Sequence, residues 1–445
     1  MPKKPKLVIF GAFIACLCGP SIAVENATSE PIAPPPTVDS TEPDSLPLDD
    51  IRILVEVFHK IKKDYVEQID DKQLLENAVR GMLSGLDPHS SYLDPDGYEA
   101  LQEGTTGEFG GLGIEVSMDD GFLKVIAPID DTPAKRAGIE PGDVIIRLDD
   151  SPVKGIGLSE AVKRMRGESG TSIRISVLRE GEDKPLEFTI KRAVIHIQSV
   201  KSRTLEPGFG YIRISHFQSR SGNDVQKHVS DLIEENGSLK GLVLDLRNNP
   251  GGVLGAAVSV SDAFLSEGRI VYTEGRVQDS ELEFTAKPPD LLQGAPLVVL
   301  VNEGSASASE IVAGALQDRQ RAVIMGRPSF GKGSVQTILP MNNNAALKLT
   351  TARYFTPSGH SIQAEGIIPD IVIDKVELSP VAVTSRIVKE SNLSGHLENE
   401  NGTTAPQANA DVSRRQHLAK SDFELYEALN LLKGIDILRT RSATH

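Results

Sequence analysis

Two kinds of residue able to do chemistry together stand close in the stretch Pro296 to Thr337. It reads PLVVLVNEGSASASEIVAGALQDRQRAVIMGRPSFGKGSVQT. Serines alternate with alanines at 305, 307 and 309, and Lys332 sits between Gly331 and Gly333. A serine hydroxyl is a poor nucleophile until a neighbouring base takes its proton. Lysine can be that base only when burial lowers its pKa from about 10.4 toward roughly 7–8. Glycines on both sides and apolar runs nearby suit such a burial. If the chain is extended here, Lys332, Ser334 and Gln336 share one face, and Gln336 can orient the amine. The residues alone do not choose among Ser305, Ser307 and Ser309.

Other readings of the same stretch compete. Ser307 and Glu310 fit the S-x-x-E capping box of a helix start. Gly326-x-x-x-x-Gly331-Lys332 begins like a phosphate-binding loop, but Gly333 replaces the Mg²⁺-binding Ser/Thr and a strand-like pattern follows. Ser329 to Lys332 is a second S-x-x-K, resembling the penicillin-binding signature. That motif needs a helix, which Pro328, Gly331 and Gly333 oppose.

The elements that must position these residues are strand–turn–helix units. Leu297 to Val301 is an apolar run, and Ile311, Val312, Ala315 and Leu316 recur at helical spacing. Upstream, Gly210 to Ile214 is a strand and 222–235 a helix. Gly241 to Leu246 is then a buried strand that opens into Arg247-Asn248-Asn249-Pro250-Gly251-Gly252, followed by a helix to Phe264. Two glycine turns at the same end of a parallel sheet face one crevice. Backbone N–H groups there, at Gly251 or Gly252, can act as an oxyanion hole or simply close a tight turn.

Composition narrows the function. The chain has 445 residues, 39% hydrophobic and 24% charged, enough for two or three soluble domains. A net charge of −15 and an aromatic content of 4% without tryptophan argue against nucleic-acid binding. The nine histidines show no metal-ligand spacing, so no metal and no cofactor are expected.

The N-terminus reads as a secretory signal over 1–23: Lys3, Lys4 and Lys6, an apolar core from Leu7 to Cys18, and Ser21-Ile22-Ala23 for cleavage. An uncleaved or lipid-bearing anchor is the alternative, so the protein is expected outside the cytoplasm, in a bacterial periplasm or held at its membrane. Cys16 and Cys18 lie inside this segment, and the mature chain would have no cysteine. A flexible linker is expected over 24–47 and a helical region over 48–104, with helices from Leu48 and from Asp71 to Ser84. This pair is either an oligomerisation arm or a packing subdomain.

Glu108 to Val116 reads EFGGLGIEV, and Thr132-Pro133-Ala134-x-x-Ala137-Gly138-Ile139-x-Pro141-Gly142-Asp143-Val144-Ile145 follows. Together they resemble a PDZ domain, expected over 105–193. The resemblance implies that backbone N–H groups of Gly111, Leu112, Gly113 and Ile114 hold a peptide's C-terminal carboxylate, with the peptide added as a strand beside a helix from Leu158 to Met165.

The order of signal, helical arm, PDZ, D-L-R-N-N-P-G-G, S-A-S-A-S-E and G-K-G-S-V-Q resembles the carboxyl-terminal processing peptidases, secreted serine endopeptidases with a Ser–Lys core. That resemblance covers roughly Leu48 to Asp374. It implies Ser307 as nucleophile, Lys332 as base, Gln336 as the lysine's orienting partner, and N–H groups of Ala308 and of Gly251 or Gly252 as oxyanion donors. Asp318 matches an acidic position of undefined role. The fold class so implied is multidomain α/β: a helical arm, a PDZ, and a crotonase-like α/β peptidase core over 194–376. A polar linker over 377–415 then leads to a helical segment over 416–445, for which a contact with another subunit or an adaptor is expected over docking on its own core. The implied partners are protein or peptide substrates with accessible C-termini, with a homo-oligomer expected.

Overall fold

The computed structural model describes residues 47–119, 121–277, 280–376, 393–397 and 417–443. The expected signal segment, and all but the last residue of the expected linker after it, lie outside the described residues, as does most of 377–415. The chain divides into two units, residues 1–74 and 75–445.

In the first unit, α1 (Leu48–Asp64) places Asp49 and Asp50 in its first turn and Lys62 and Lys63 in its last, which complements the helix dipole. It has no buried residue. The second predicted helix, α2 (Asp71–Ser84), carries the chain into the second unit. There Leu83 packs with Tyr92 and Ala345. Tyr92 belongs to β1 (Ser91–Leu93), after which α3 (Pro95–Thr106) starts under an Asp94 cap bonded to the Gly97 N–H at 2.9 Å.

The PDZ is carried on a ribbon. β2 (Glu108–Gly111) leads in and β9 (Ala193–His196) leads out, paired antiparallel from Glu108↔His196 to Gly111↔Ala193. Between them lie β3 (Ile114–Asp119), β4 (Phe122–Pro128), α4 (Pro133–Ala137), β5 (Val144–Leu148), β6 (Ser151–Pro152), α5 (Leu158–Met165), β7 (Ser172–Leu178) and β8 (Leu186–Lys191). The sheet order is β3-β4-β5-β7-β8, with β6 paired to β5. Leu123, Val125, Ile145, Ile173, Ile175 and Val177 form its core with Ala134 and Ile139 from the α4 side and Ala161 from α5.

The remaining chain forms an α/β core. β10 (Val200–Glu206) and β11 (Phe209–Ile214) precede α6 (Ser221–Asn236), β12 (Gly241–Asp245) and α7 (Leu254–Asp262). Next come β13 (Arg269–Gly275), β14 (Glu283–Thr285), β15 (Leu297–Val301), α8 (Ala308–Asp318) and β16 (Val323–Gly326). The last strands are β17 (Ser334–Pro340), β18 (Ala346–Phe355) and β19 (Ile371–Val372), and α9 (Phe423–Ala443) ends the described chain. The central sheet runs β10-β11-β12-β15-β16-β19, parallel from β11 onward. A second sheet, β1-β18-β13-β14 with β17 on β18, includes the strand that follows the lysine turn.

Strands β12 and β15 are buried at every residue. Such strands need cover on both faces. Leu242, Leu244, Leu297, Val299 and Val301 face the cluster that includes α6, α7 and α8. Val243, Val298 and Leu300 face the opposite side, where α9 lays down Leu425, Ala428, Leu429 and Leu432. The C-terminal helix therefore docks on its own core, and the expectation of another subunit or adaptor for this apolar face is corrected: the uncovered face of the sheet takes it first.

Candidate active site

β12 and β15 are parallel neighbours, paired from Leu242↔Leu297 to Asp245↔Leu300, so the turns after them emerge side by side. The two turns are laced together. Asn248 N–H donates to Asn302 Oδ1 at 2.8 Å, and Asn302 Nδ2 donates back to Asn248 Oδ1 at 3.0 Å. Ser305 Oγ donates to Leu246 O at 2.8 Å and Ser309 Oγ to Asn249 O at 2.9 Å. Both of these serines are fully buried, so their hydroxyls are committed to holding the turns in register. Ser307, between them, is half-buried.

Ser307 stands immediately ahead of α8 with φ +57° and ψ −113°, a region that residues with a side chain rarely occupy. Strain of this kind persists where the surroundings over-determine it. Its N–H donates to Glu310 Oε2 at 2.6 Å, the Glu310 half of the predicted capping box. The Tyr354 hydroxyl is hydrogen-bonded to Ser307 and donates to the Lys332 carbonyl.

Gly251 (φ +102°) lies against this turn. A Cβ added there would meet Ala306 O and Ser307 Cβ at 2.7 Å, and the Ala308 nitrogen at 3.0 Å. The Gly251 N–H is taken by Asn249 Oδ1 at 2.9 Å. The N–H groups of Gly252 and Ala308 have no acceptor among the described residues. Of the three groups expected around an oxyanion, those two are open donors.

The lysine turn is brought up to the serine turn by backbone contacts. Phe330 N–H donates to Ser305 O at 3.0 Å. Glu310, fully buried on α8, then ties the two together. Its Oε2 accepts from Ser307 N–H and from Lys332 N–H (3.0 Å), and its Oε1 from Ser329 Oγ and Gly331 N–H, both at 2.6 Å. Burial pushes its carboxyl up, against the pull of these four donors. The sequence suggests only a cap for Glu310. Its larger role spans 22 residues to Lys332, a separation at which local patterns carry no signal.

Lys332 sits just ahead of β17 rather than on it. Glycines flank it because the segment from Gln363 to Gly366 passes close: a Cβ on Gly333 would meet Gln363 N at 2.5 Å. The side chain is half-buried. Burial, and then the Lys348 charge, hold its amine below the ordinary lysine range, opposed by Glu310 and Asp87. Among the described residues, no hydrogen bond joins the Lys332 amine to Ser307 or Gln336. Gln336 Nε2 instead donates to Ser334 Oγ at 2.9 Å. Asp87, which no sequence motif singled out, accepts through Oδ1 from Thr350 Oγ1 at 3.1 Å, and Thr350 lies opposite Gln336 in the β17–β18 pair. Asp318 is at the far end of α8, 11 residues and about 16 Å from Ser307, and accepts the Ser358 N–H at 2.8 Å.

In the PDZ, Gly111, Leu112, Gly113 and Ile114 line a cavity of about 130 Å³ with Val162 and Met165 of α5 and with Phe109 and Arg166. The N–H groups of Leu112 and Gly113 have no acceptor among the described residues. The Leu112 side chain belongs to the core of this domain. Arg166 stacks over Phe109 at 4.8 Å and pairs with Glu103. No group of three potential metal ligands occurs among the described residues.

Residues 208–373 match the model of Peptidase family S41, residues 110–191 that of the PDZ domain, and residues 24–97 that of the Activating protease CtpB N-terminal domain. A carboxy-terminal-processing protease of Bartonella bacilliformis is 47% identical over 381 residues, 85% of this chain and 87% of that one. A carboxyl-terminal-processing protease of Synechocystis is 38% identical, covering 73% of this chain and 77% of that one. The carboxy-terminal processing protease CtpA of Bacillus subtilis is 35% identical, covering 74% and 69%. With relatives this similar along most of both chains, a PDZ on its ribbon and an α/β peptidase core, the chain belongs to the carboxy-terminal-processing proteases, serine peptidases of family S41.

Proposed function

We propose that this chain is an extracytoplasmic endopeptidase that takes hold of protein C-termini through its PDZ and cuts with Ser307 and Lys332. The observation that carries this reading is the unequal use of three serines: Ser305 and Ser309 hydroxyls are buried and bonded to carbonyls, while Ser307 stands in a strained turn tied through Glu310 to the lysine loop. Ser307 Oγ attacks the scissile carbonyl as neutral Lys332 takes its proton. The tetrahedral oxyanion is held by the N–H groups of Ala308 and Gly252 beside Gly251, at a helix start whose dipole favours negative charge. Lys332 returns the proton to the leaving amine, and water releases the acyl-enzyme. Gln336 turns from Ser334 to the lysine amine in this step.

The open distance between the Lys332 amine and its partners supports a site that closes when substrate arrives, since catalytic hydrogen bonds tighten in the productive complex. The substrate's end would lie in the cavity beside α5, with its carboxylate on the Leu112 and Gly113 N–H groups. Leu48, Ile51, Leu54 and Val57, exposed on α1, support assembly into a homo-oligomer. The chemistry calls for no metal or other cofactor. A partner adaptor would have to use a surface other than the docked face of α9. The test replaces Ser307 or Lys332 by alanine and follows cleavage of an unstructured peptide with a free C-terminus. Either replacement should abolish cleavage, and persistence in both would refute the assignment.

A further inference from the structure

Behind the two glycine turns, on the side away from Glu310, the start of α9 carries carboxylates into a buried cluster of arginines. Arg247, four residues ahead of Gly251, has a side chain only 13% exposed. Its Nη1 donates to Asp422 Oδ1 at 2.8 Å and Glu424 Oε2 at 2.7 Å, and its Nη2 to Asp422 Oδ2 at 2.7 Å. Asp245 fills the remaining edge of the guanidinium, at 3.0 Å from Nε and 2.7 Å from Nη2. The other oxygen of Glu424 takes Nη1 of Arg327, five residues ahead of Lys332. Arg327 Nε donates to Glu303 Oε1 at 2.7 Å, four residues ahead of Ser307.

One carboxylate on the C-terminal helix thus joins the segment leading to the oxyanion glycines to the segment leading to the lysine, and Arg327 adds the segment leading to the serine. Bidentate arginine–carboxylate pairs fix distance and plane as well as charge. Buried ion pairs contribute little net stability compared with apolar packing, and their best-attested use is to fix register. Here the helix is held on the sheet separately, by Leu425, Ala428, Leu429 and Leu432. The cluster lies partly outside residues 208–373, the extent of the match to the peptidase family model.

We propose that Asp422 and Glu424 are positioning residues of the peptidase site: through Arg247 and Arg327 the C-terminal helix sets the spacing of the oxyanion, serine and lysine turns. The proposal rests on the Ser307–Lys332 reading above. Displacing reacting groups by about 1 Å costs on the order of a hundredfold in rate.

The test uses full-length Glu424→Gln and Asp422→Asn, with Leu429→Ala as a packing control and Ser307→Ala as a site control. The rate of Ser307 acylation by a fluorophosphonate, kcat and KM on a tailed peptide, and the thermal midpoint are measured well below that midpoint. Glu424→Gln should lower the acylation rate and kcat by roughly ten- to a hundredfold with KM nearly unchanged. Asp422→Asn, which leaves Glu424 bridging both arginines, should do the same to a lesser degree and serves in its place if Glu424→Gln fails to fold. Leu429→Ala should lower the midpoint and leave the acylation rate near that of the parent. Parental acylation in both carboxylate variants overturns the proposal, as does an equal loss of rate in Leu429→Ala. Labelling that survives Ser307→Ala overturns the underlying site reading instead, whatever the carboxylate variants do.

Discussion

Glu310 offers a perturbation whose cost can be worked out from its contacts. Each of its oxygens accepts from two donors, and three of the four are backbone N–H groups, of Ser307, Gly331 and Lys332. Alanine leaves all three without an acceptor in a buried place. An unsatisfied buried donor costs about 1–3 kcal/mol, so Glu310→Ala should lose roughly 3–9 kcal/mol. That is comparable with the whole stability of a typical domain, about 5–15 kcal/mol. Glutamine behaves differently. Its amide oxygen can keep the Ser307 and Lys332 N–H groups, while its NH₂ faces Ser329, whose hydroxyl can rotate to accept. Only the Gly331 N–H is then left, at about 1–3 kcal/mol. Glu310→Gln should therefore fold, with the residue next to Lys332 unpaired, and react slowly. Urea unfolding gives the first pair of numbers, and fluorophosphonate acylation of Ser307 at pH 7 gives the second, with a loss of about tenfold or more expected for the glutamine variant. The reasoning fails if the alanine variant loses less than about 1 kcal/mol, or if the glutamine variant acylates at the parental rate.

The electrostatic surroundings of Lys332 predict two shifts of opposite sign. A lysine acting as base must be neutral, so the acid limb of the kcat/KM profile follows its pKa. Lys348 depresses that pKa, so Lys348→Gln should move the limb to higher pH; Asp87 raises it, so Asp87→Asn should move the limb to lower pH. Shifts in the same direction for both variants would show that the limb belongs to another group. At the oxyanion turn, Gly251→Ala puts a Cβ 2.7 Å from Ala306 O and Ser307 Cβ at a φ of +102°. Its kcat should fall by about 10²–10³, the usual cost of a displaced oxyanion donor, and stopped-flow acylation at parental rate would contradict the placement.

The parts of this fold that follow from local pattern were legible in the sequence. The apolar runs at Leu297–Val301 and Gly241–Asp245 are strands, and Ile311, Val312, Ala315 and Leu316 are buried on one helix. Those same runs, apolar but for the closing Asp245 and buried at every residue, already required a layer on each face. They did not say which segment supplied the second layer, and α9 was therefore expected against another chain. The serines could not be told apart because all three are small and identically spaced; burial separates them, and burial is a property of the packed turns. Strand phase put Lys332 on one face with Gln336, but β17 begins only at Ser334, and the lysine lies in the turn before it, against the segment that starts at Gln363. Glu310 and the Arg247 cluster are long-range constellations, formed by residues 22 and 177 positions apart.

The ribbon of β2 and β9 has a consequence for how this molecule can change over time. Because the strands entering and leaving the PDZ are partners in one ladder, the two ends of that domain lie a single strand spacing apart, about 4.8 Å. To the peptidase core the PDZ is a loop already closed, and closure entropy, which grows only slowly with loop length, is insensitive to what fills it. A domain of different end-preference, grafted between Gly111 and Ala193, would present the core with the same two rails. On the proposed reading, the part that grips a C-terminus is thus exchangeable while its attachment to the core stays the same.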